Sequence, residues 1–536
     1  MLRTNHQPIA SDGAAVESHL ETGLPNYTQQ DLAAFGTQIS GTAVPPGSAG
    51  YNDARMVFMH TYQQYPQLIV NCAVYRDVIA ALDFAKKHDL KVTSRSGGHS
   101  TAGYSSNDQM LIDVSGIDHV LIDPVAKTAR VGAGANFRKL NMMLDVYGLH
   151  VPGGGCETVC VAGYMMGGGY GFTSRLFGMN CDHVRAVTLV AVEGSPAACE
   201  GGLAGRIVRA SETENPDLYW AVRGGTGNQF GILVEIEYDL RPVDDFWAFG
   251  LRWRIDGNVD RISQIIAAFQ EHYTNGGSPA TIGLQGLMMN IPTESGDDHA
   301  RDQIPQFLIR GLCSGSEQEC FKALGPLLEF CDPDCLDLQN LRKKFSSADP
   351  QDGTCWNVDL WHCGPYLTVN EQLLTTSTSP PQDMPTVSLN TKPLVSGRII
   401  GDRHDAASWV PMIEHFLNAP DKTTFLAMEA YGGAVNVPAP DAMAYMHRDA
   451  SMDLFTWVFW TFQDHEIPAR EWLDGFEALS GRLSNGHRYQ NYPKRGNAEF
   501  RREYWGANFD RLLRIKHIWD PGNLLAYEQS ISPELP

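Results

Sequence analysis

Residues 151–171 read Val151-Pro152-Gly153-Gly154-Gly155-Cys156-Glu157-Thr158-Val159-Cys160-Val161-Ala162-Gly163-Tyr164-Met165-Met166-Gly167-Gly168-Gly169-Tyr170-Gly171. Glycine lowers the stability of helix and strand alike, so this density serves neither. It fits a backbone that must approach something flat or crowded. Cys156 lies in the loop, near many N–H dipoles and open to a bound ligand, a setting that favours thiolate. Taken alone, the same segment also reads as a glycine-rich corner around a small buried cysteine. It is not a helical dinucleotide fingerprint, because no G-x-G-x-x-G opens a helix there.

Upstream, Ser94-Arg95-Ser96-Gly97-Gly98-His99-Ser100 follows a short expected strand, 91–93. Consecutive small residues let several N–H groups converge on one anion, such as a pyrophosphate. Arg95 could add charge, and His99 would sit beside the ligand. Taken alone, the segment reads first as a tight turn ending in a surface histidine. Far downstream, Tyr489-Gln490-Asn491-Tyr492-Pro493 puts two tyrosines three apart in a loop. A phenol with a lowered pKa can serve as general base toward an alcohol.

Between these segments the periodicity predicts strands at 68–70, 91–93, 111–114, 121–123, 129–131, 184–192 and 232–238, with helices over 77–88 and 136–147. Beyond Pro242 the texture changes to longer elements without glycine clusters: 249–255, a helix at 259–273 and the alternating 454–462. A final helix at 508–518 stops before Asp520-Pro521-Gly522. Residues 1–50, with Pro45, Pro46, Gly47, Ser48 and Gly50, read as an N-terminal arm. The expected division is 1–50 arm, 51–242 first part of a cofactor domain, 243–484 substrate domain, and 485–536 returning to the cofactor domain.

The 536 residues exceed one compact core, and the net charge of −21 argues against nucleic acid and anionic membranes as partners. Met1 to Tyr27 mixes charge into every window and lacks the apolar stretch of a secretory leader, and nothing later reads as a span. Eleven cysteines, an odd and scattered set, suit a reducing compartment, so cytoplasm is expected. A mature chain that had lost its leader would read the same. His60, His119 and His447 have no metal-ligand spacing, Cys331 and Cys335 form a lone pair of structural character, and no G-x-S-x-G elbow appears.

Together and in this order, the segments resemble the berberine bridge enzyme-like family of the vanillyl-alcohol oxidase (PCMH-type) FAD proteins, over about 65–240 and 485–532. The resemblance implies an α+β fold. It has a PCMH-type FAD-binding domain of two α+β subdomains, built from N- and C-terminal segments, and a substrate domain with an antiparallel sheet flanked by helices. It also implies bicovalent FAD, with His99 on the 8α-methyl and Cys156 on carbon 6. Further FAD contacts are implied at Arg95, Ser96, Gly97, Gly98 and Ser100, then at Thr158, Val159, Gly163, Tyr164, Gly167, Gly168, Gly169 and Gly171. Asp182 and Val184, Gly231 and Ile232, and Asn491 complete the set. Tyr492 corresponds to the base of carbohydrate-oxidising relatives, with Glu429 as acidic partner and Tyr489 beside it. In four places the chain departs from the pattern. Tyr164 replaces a usual histidine, Gln229 a usual asparagine, Thr456 stands where plant members carry Glu or Gln, and Cys160 is an extra thiol near Cys156.

The implied activity is hydride abstraction from a hydroxyl-bearing small molecule, in natural-product tailoring, with O2 as electron acceptor and H2O2 released. An oligosaccharide oxidase forming a lactone is the alternative within the enzyme class. A flavin-binding protein without turnover is the alternative outside it, and a nicotinamide dehydrogenase would lack any covalent chromophore.

Overall fold

The computed structural model describes residues 25–59, 61–192, 206–243, 246–274, 279–292, 303–331, 336–340, 392–460 and 463–532. Residues 1–24 of the expected arm, His60, Cys335 and the end of the expected 454–462 strand lie outside these.

The first layer is a four-stranded sheet, β1 (Thr42–Val44), β2 (Leu68–Asn71), β3 (Val92–Arg95) and β4 (Met110–Asp113), ordered β1-β2-β4-β3. β2, β4 and β3 run parallel, and β1 adds an antiparallel edge. Parallel strands are covered on both faces, which is why Leu68, Ile69 and Val70 are all buried rather than alternating. Helix α1 (Tyr75–Lys87) makes the crossover. Its Asp77 carboxylate accepts from the N–H groups of Ser40, Gly41, Ala73 and Val74, tying the incoming chain to the helix N-terminus.

The second layer is antiparallel: β5 (Val120–Asp123), β6 (Thr128–Gly132), β8 (Val184–Val190), β9 (Ile207–Ser211) and β10 (Ile232–Asp239), ordered β5-β6-β10-β8-β9. β7 (Leu149–His150) pairs with β11 (Arg241–Pro242) beside it. Residues 151–171 run from β7 through one short helix, α2 (Val161–Met166), and otherwise stay irregular.

The third layer is an antiparallel sheet of seven strands, β12 (Phe246–Arg254), β13 (Ile282–Pro292), β14 (Gln303–Ser314), β15 (Leu336–Asn340), β16 (Lys392–Ile400), β17 (Phe425–Ala430) and β18 (Met452–Trp460). Helices α3 (Val259–Tyr273), α4 (Ala406–Leu417) and α5 (Glu466–Leu483) pack on one face. On α3, Ile262, Ile265, Ile266, Phe269 and Tyr273 recur at helical spacing and are buried. All nine residues of β18 are buried, because the other face packs against residues of the earlier layers and the returning C-terminal segment, such as Met59 and Tyr492. That sandwiching replaces the half-exposed alternation expected at 454–462.

The C-terminal segment returns to the first two layers through α6 (Phe509–Trp519). Lys516 Nζ donates to Gln229 O, Asp520 Oδ2 and Leu525 O, so a buried cation has all three protons placed. Leu525 also bridges to Val92 of β3. Cys331 is in a disulfide, whereas Cys72, Cys156, Cys160, Cys181, Cys313 and Cys320 are free thiols. Cysteine content therefore does not by itself argue for a reducing compartment. Among the described residues no helix is long and apolar enough to cross a membrane.

Candidate functional site

A cleft runs between the glycine-rich loops, the returning C-terminal segment and the open face of the seven-stranded sheet. Its empty space, mouth included, is about 1860 Å³. His99 and Cys156 both line it, as do Glu429, Tyr489 and Tyr492. Five residues separated by up to 393 positions thus meet at one opening.

His99 is held by its ring. It stacks on Phe58, with centroids 4.6 Å apart and planes 22° from parallel, and its Nε2 lies 3.0 Å from Thr158 Oγ1. Burial pushes the imidazole down to about 4. The ring is therefore neutral at neutral pH and keeps a nitrogen lone pair. The loop carrying it packs on the cysteine loop: a Cβ at Gly97 would come within 2.9 Å of Cys160 N, and Gly98 has φ +72°. Asn228, itself in the left-handed region, clips this loop by accepting from Ser94 N and Oγ at 2.7 and 2.6 Å.

The two neighbouring thiols differ. Cys160 is buried, donates to Gly134 O at 3.2 Å, and burial pushes its thiol up to about 12. Cys156 is half-buried in the cleft wall. Between them, Cys156 has the access a reactive thiol needs.

Opposite, Tyr492 donates from its hydroxyl to Glu429 Oε1 at 3.3 Å, and its ring lies 4.4 Å from that of Phe455. Glu429 also accepts from Gln285 Nε2 at 3.2 Å, while Gln285 Oε1 takes Arg310 Nε at 2.9 Å. Burial raises Glu429 to about 8, against the pull of Tyr492, Arg310 and Gln285. Directly across β18 stands Asp453. It is fully buried with neither oxygen partnered among the described residues, and burial plus the charge of Glu429 push it well above the carboxylate range. Tyr492 is itself raised well above a free phenol, first by burial and then by Glu429. The expected lowering of a phenol pKa is not found, because burial and the neighbouring Glu429 both favour the neutral phenol. Tyr489 Oη accepts from Gly169 N, Tyr170 N and Asn491 Nδ2, at 3.0, 3.1 and 2.9 Å, so it fixes the glycine loop.

Of the other residues expected at the cofactor, Arg95, Ser96, Gly97, Gly98, Ser100, Val159, Gly163, Tyr164, Gly171 and Asn491 line the cleft. Arg95 adds no free charge there, since it donates to Asp113 Oδ2 and to the carbonyls of Met56 and Ala54. Thr158 stands behind His99. Gly167, Gly168 and Gly169 face the protein: a Cβ on each would meet Asn491, the Tyr445 ring or the Tyr164 ring at 2.0 to 2.5 Å. Asp182 binds Arg448 through both oxygens, at 2.6 and 3.0 Å, and Val184 takes Tyr219 Oη on its carbonyl. Gly231 and Ile232 sit behind Leu233, which lines the cleft in their place. Gln229 anchors the C-terminal segment through Tyr527 and Ile531. Thr456 turns away from the cleft, donating to Phe425 O at 2.7 Å, while its neighbours Phe455 and Trp457 line it. Tyr164, where a histidine is usual, spends its hydroxyl on Tyr170 O.

Sequence reasoning missed Phe58, Gln285, Arg310, Asp453 and Trp457. Only the alternation of 454–462 carried any signal, and for Trp457 alone. The cleft suits an FAD: its glycine loops present backbone, and Thr101 Oγ1 and Tyr104 Oη in its wall are buried polar atoms without partners among the described residues.

Comparison with known proteins agrees. Residues 66–200 match the model of an FAD binding domain, and 488–532 match the model described as berberine and berberine like. The chain is 26% identical over 499 residues to the FAD-linked oxidoreductase YgaK of Bacillus subtilis, covering 93% of this chain and 98% of that one. It is 28% identical over 487 residues to a xylooligosaccharide oxidase of Thermothelomyces thermophilus, covering 87% of each. The structure of a berberine bridge enzyme-like protein of Physcomitrella patens superposes with a TM-score of 0.76 at 22% identity, covering 94% of this chain and 99% of that one. The fold, the two matched segments and these relatives converge: the chain is an FAD-linked oxidoreductase that carries an FAD-binding domain and a berberine-like C-terminal segment, and it is similar to the berberine bridge enzyme-like proteins.

Proposed function

We propose that the chain oxidises a hydroxyl-bearing small molecule, with FAD tethered through His99 and Cys156, Tyr492 as base and Glu429 as the acceptor of Tyr492's proton. The observation that carries this is the Tyr492–Glu429 contact in the wall of the same cleft as His99 and Cys156. Bound FAD supplies the two-electron acceptor for hydride.

The protein's part is proton management and positioning. A phenol held well above its usual pKa is a poor base alone. It becomes one when its own proton can pass to an adjacent carboxylate as it takes the substrate's. Glu429 offers that carboxylate once ionised. His99, neutral at working pH, has the nitrogen lone pair a covalent link requires, and Cys156 has the exposure. Two attachments hold the ring fixed against the base, which favours a near-attack geometry. In this reading residues 51–242 and 485–536 form the cofactor part and 243–484 the substrate part. O2 would be the electron acceptor, reduced by two electrons and two protons to H2O2.

A flavin carrier without turnover would have no use for the buried Tyr492–Glu429 pair. The xylooligosaccharide oxidase relative supports a second reading, oxidation of an oligosaccharide to a lactone. The test is anaerobic mixing of the purified holoprotein with alcohol panels. Bleaching of the flavin band by an alcohol, lost in Tyr492→Phe, supports the reading; no bleaching by any alcohol, while a chemical reductant bleaches it, refutes it.

A further inference from the structure

The cleft wall also bears on what carries the hydroxyl, and this step rests on the function proposed above. Residues paired in register across antiparallel strands share a face. Along β17 and β18 these pairs are Glu429 with Asp453, Ala427 with Phe455, and Phe425 with Trp457. β13 sets Gln285 beside Glu429 and Leu287 beside Ala427. The face therefore changes chemistry within one strand length, from carboxyls and an amide to aromatic and aliphatic side chains.

The apolar end continues from the base into the cleft. Phe455 lies against the Tyr492 ring, and Trp457 meets Phe58 edge-on at 5.9 Å and 75°, while Phe58 stacks on His99. Phe455, Trp457 and Phe58 all line the cleft. The polar groups gather at the other end of the face: Tyr492 and Gln285 both bond Glu429 Oε1, Gln285 is held by Arg310, and Glu429 Oε2 and the Asp453 carboxyl lie there without partners among the described residues. At the aromatic end, Trp457 Nε1 is buried and without a partner among the described residues. A sugar chain brings a hydroxyl on nearly every carbon, and each hydroxyl left unpaired in such a wall opposes binding. A flat apolar body stacks on the same rings favourably.

We infer that the substrate is an alcohol on an aromatic or otherwise flat, largely apolar body, with Phe58, Phe455 and Trp457 as its recognition surface. Oligosaccharides are then excluded by unpaired hydroxyls rather than by size.

The test compares anaerobic flavin reduction by arylalkyl alcohols, such as cinnamyl and benzyl alcohols, with reduction by xylobiose and chitobiose. The inference expects reduction by the aromatic set alone. Trp457→Ala and Phe455→Ala should raise the concentration for half-maximal reduction about tenfold or more while the limiting rate changes little. Trp457→Phe, which keeps a ring and is the safer variant for folding, should recover most of that loss. Reduction by the oligosaccharides and not by the aromatic alcohols would overturn the inference and leave the proposed alcohol oxidation standing. Reduction by neither set would overturn the inference, and the proposed oxidation would fall only if no alcohol of the wider panels bleached the flavin.

Discussion

The glycine loops and the floor of the seven-stranded sheet face each other across one cleft, yet they declare themselves in opposite ways. In the loops, chemistry is local. His99 follows its own glycine turn, and Cys156 follows Gly153, Gly154 and Gly155. On the floor, Gln285, Arg310, Glu429 and Asp453 come from four strands and meet only through register. Where a site is built within one loop, residue order carries it; where it is built across strands, a one-residue slip would change its whole face.

The largest effect that would break this division of labour belongs to Tyr492. Tyr492→Phe should lower the second-order rate of flavin reduction roughly 10²- to 10⁴-fold, as loss of a general base does, with flavin content unchanged; stopped-flow absorbance reads it. Glu429→Gln should cost less, about 10- to 100-fold, and should also change the pH profile. Glu429 is raised to about 8 and must be ionised to accept a proton. In the native protein kcat/KM therefore rises with pH through about 8, and in Glu429→Gln that limb disappears.

On the loop side, Gly169 has φ +79°, and a Cβ there would lie 2.5 Å from the Tyr164 ring. Gly169→Ala should lower stability by about 1–3 kcal/mol, seen as a lower melting temperature. An unchanged melting temperature would mean the loop is not packed as described. The smallest effect sharpens the floor: Asp453 is pushed up, first by burial and then by the charge of Glu429. Asp453→Asn, a neutral mimic, should leave the limb near 8 in place. A limb moved down by a pH unit would show that Asp453 shares the charge.

Much of the fold was legible. The βαβ start, the helix at 259–273 and four of the five strands of the second layer, all but β9, follow from periodicity, since apolar spacing is a local property. The glycines misled in one respect. Gly167, Gly168 and Gly169 are close-packed by Asn491, Tyr445 and Tyr164, so their crowding comes from the protein's own later segments. Arg95 and Asp182 likewise carry charge that the sequence assigns to a ligand and the fold gives to Asp113 and Arg448. Charge alone does not say which partner it will find. The raised pKa of Tyr492 was not legible at all, because it follows from burial beside Glu429, a partner 63 residues away.

The most direct measurement of the central claim is the mass of the acid-denatured, unreduced chain. Tethering at His99 and Cys156 predicts the mass of one FAD added in the native protein and in each of His99→Ala and Cys156→Ala, and the bare chain in the double variant. A native chain that carries flavin before denaturation and flies at its bare mass afterwards would contradict it.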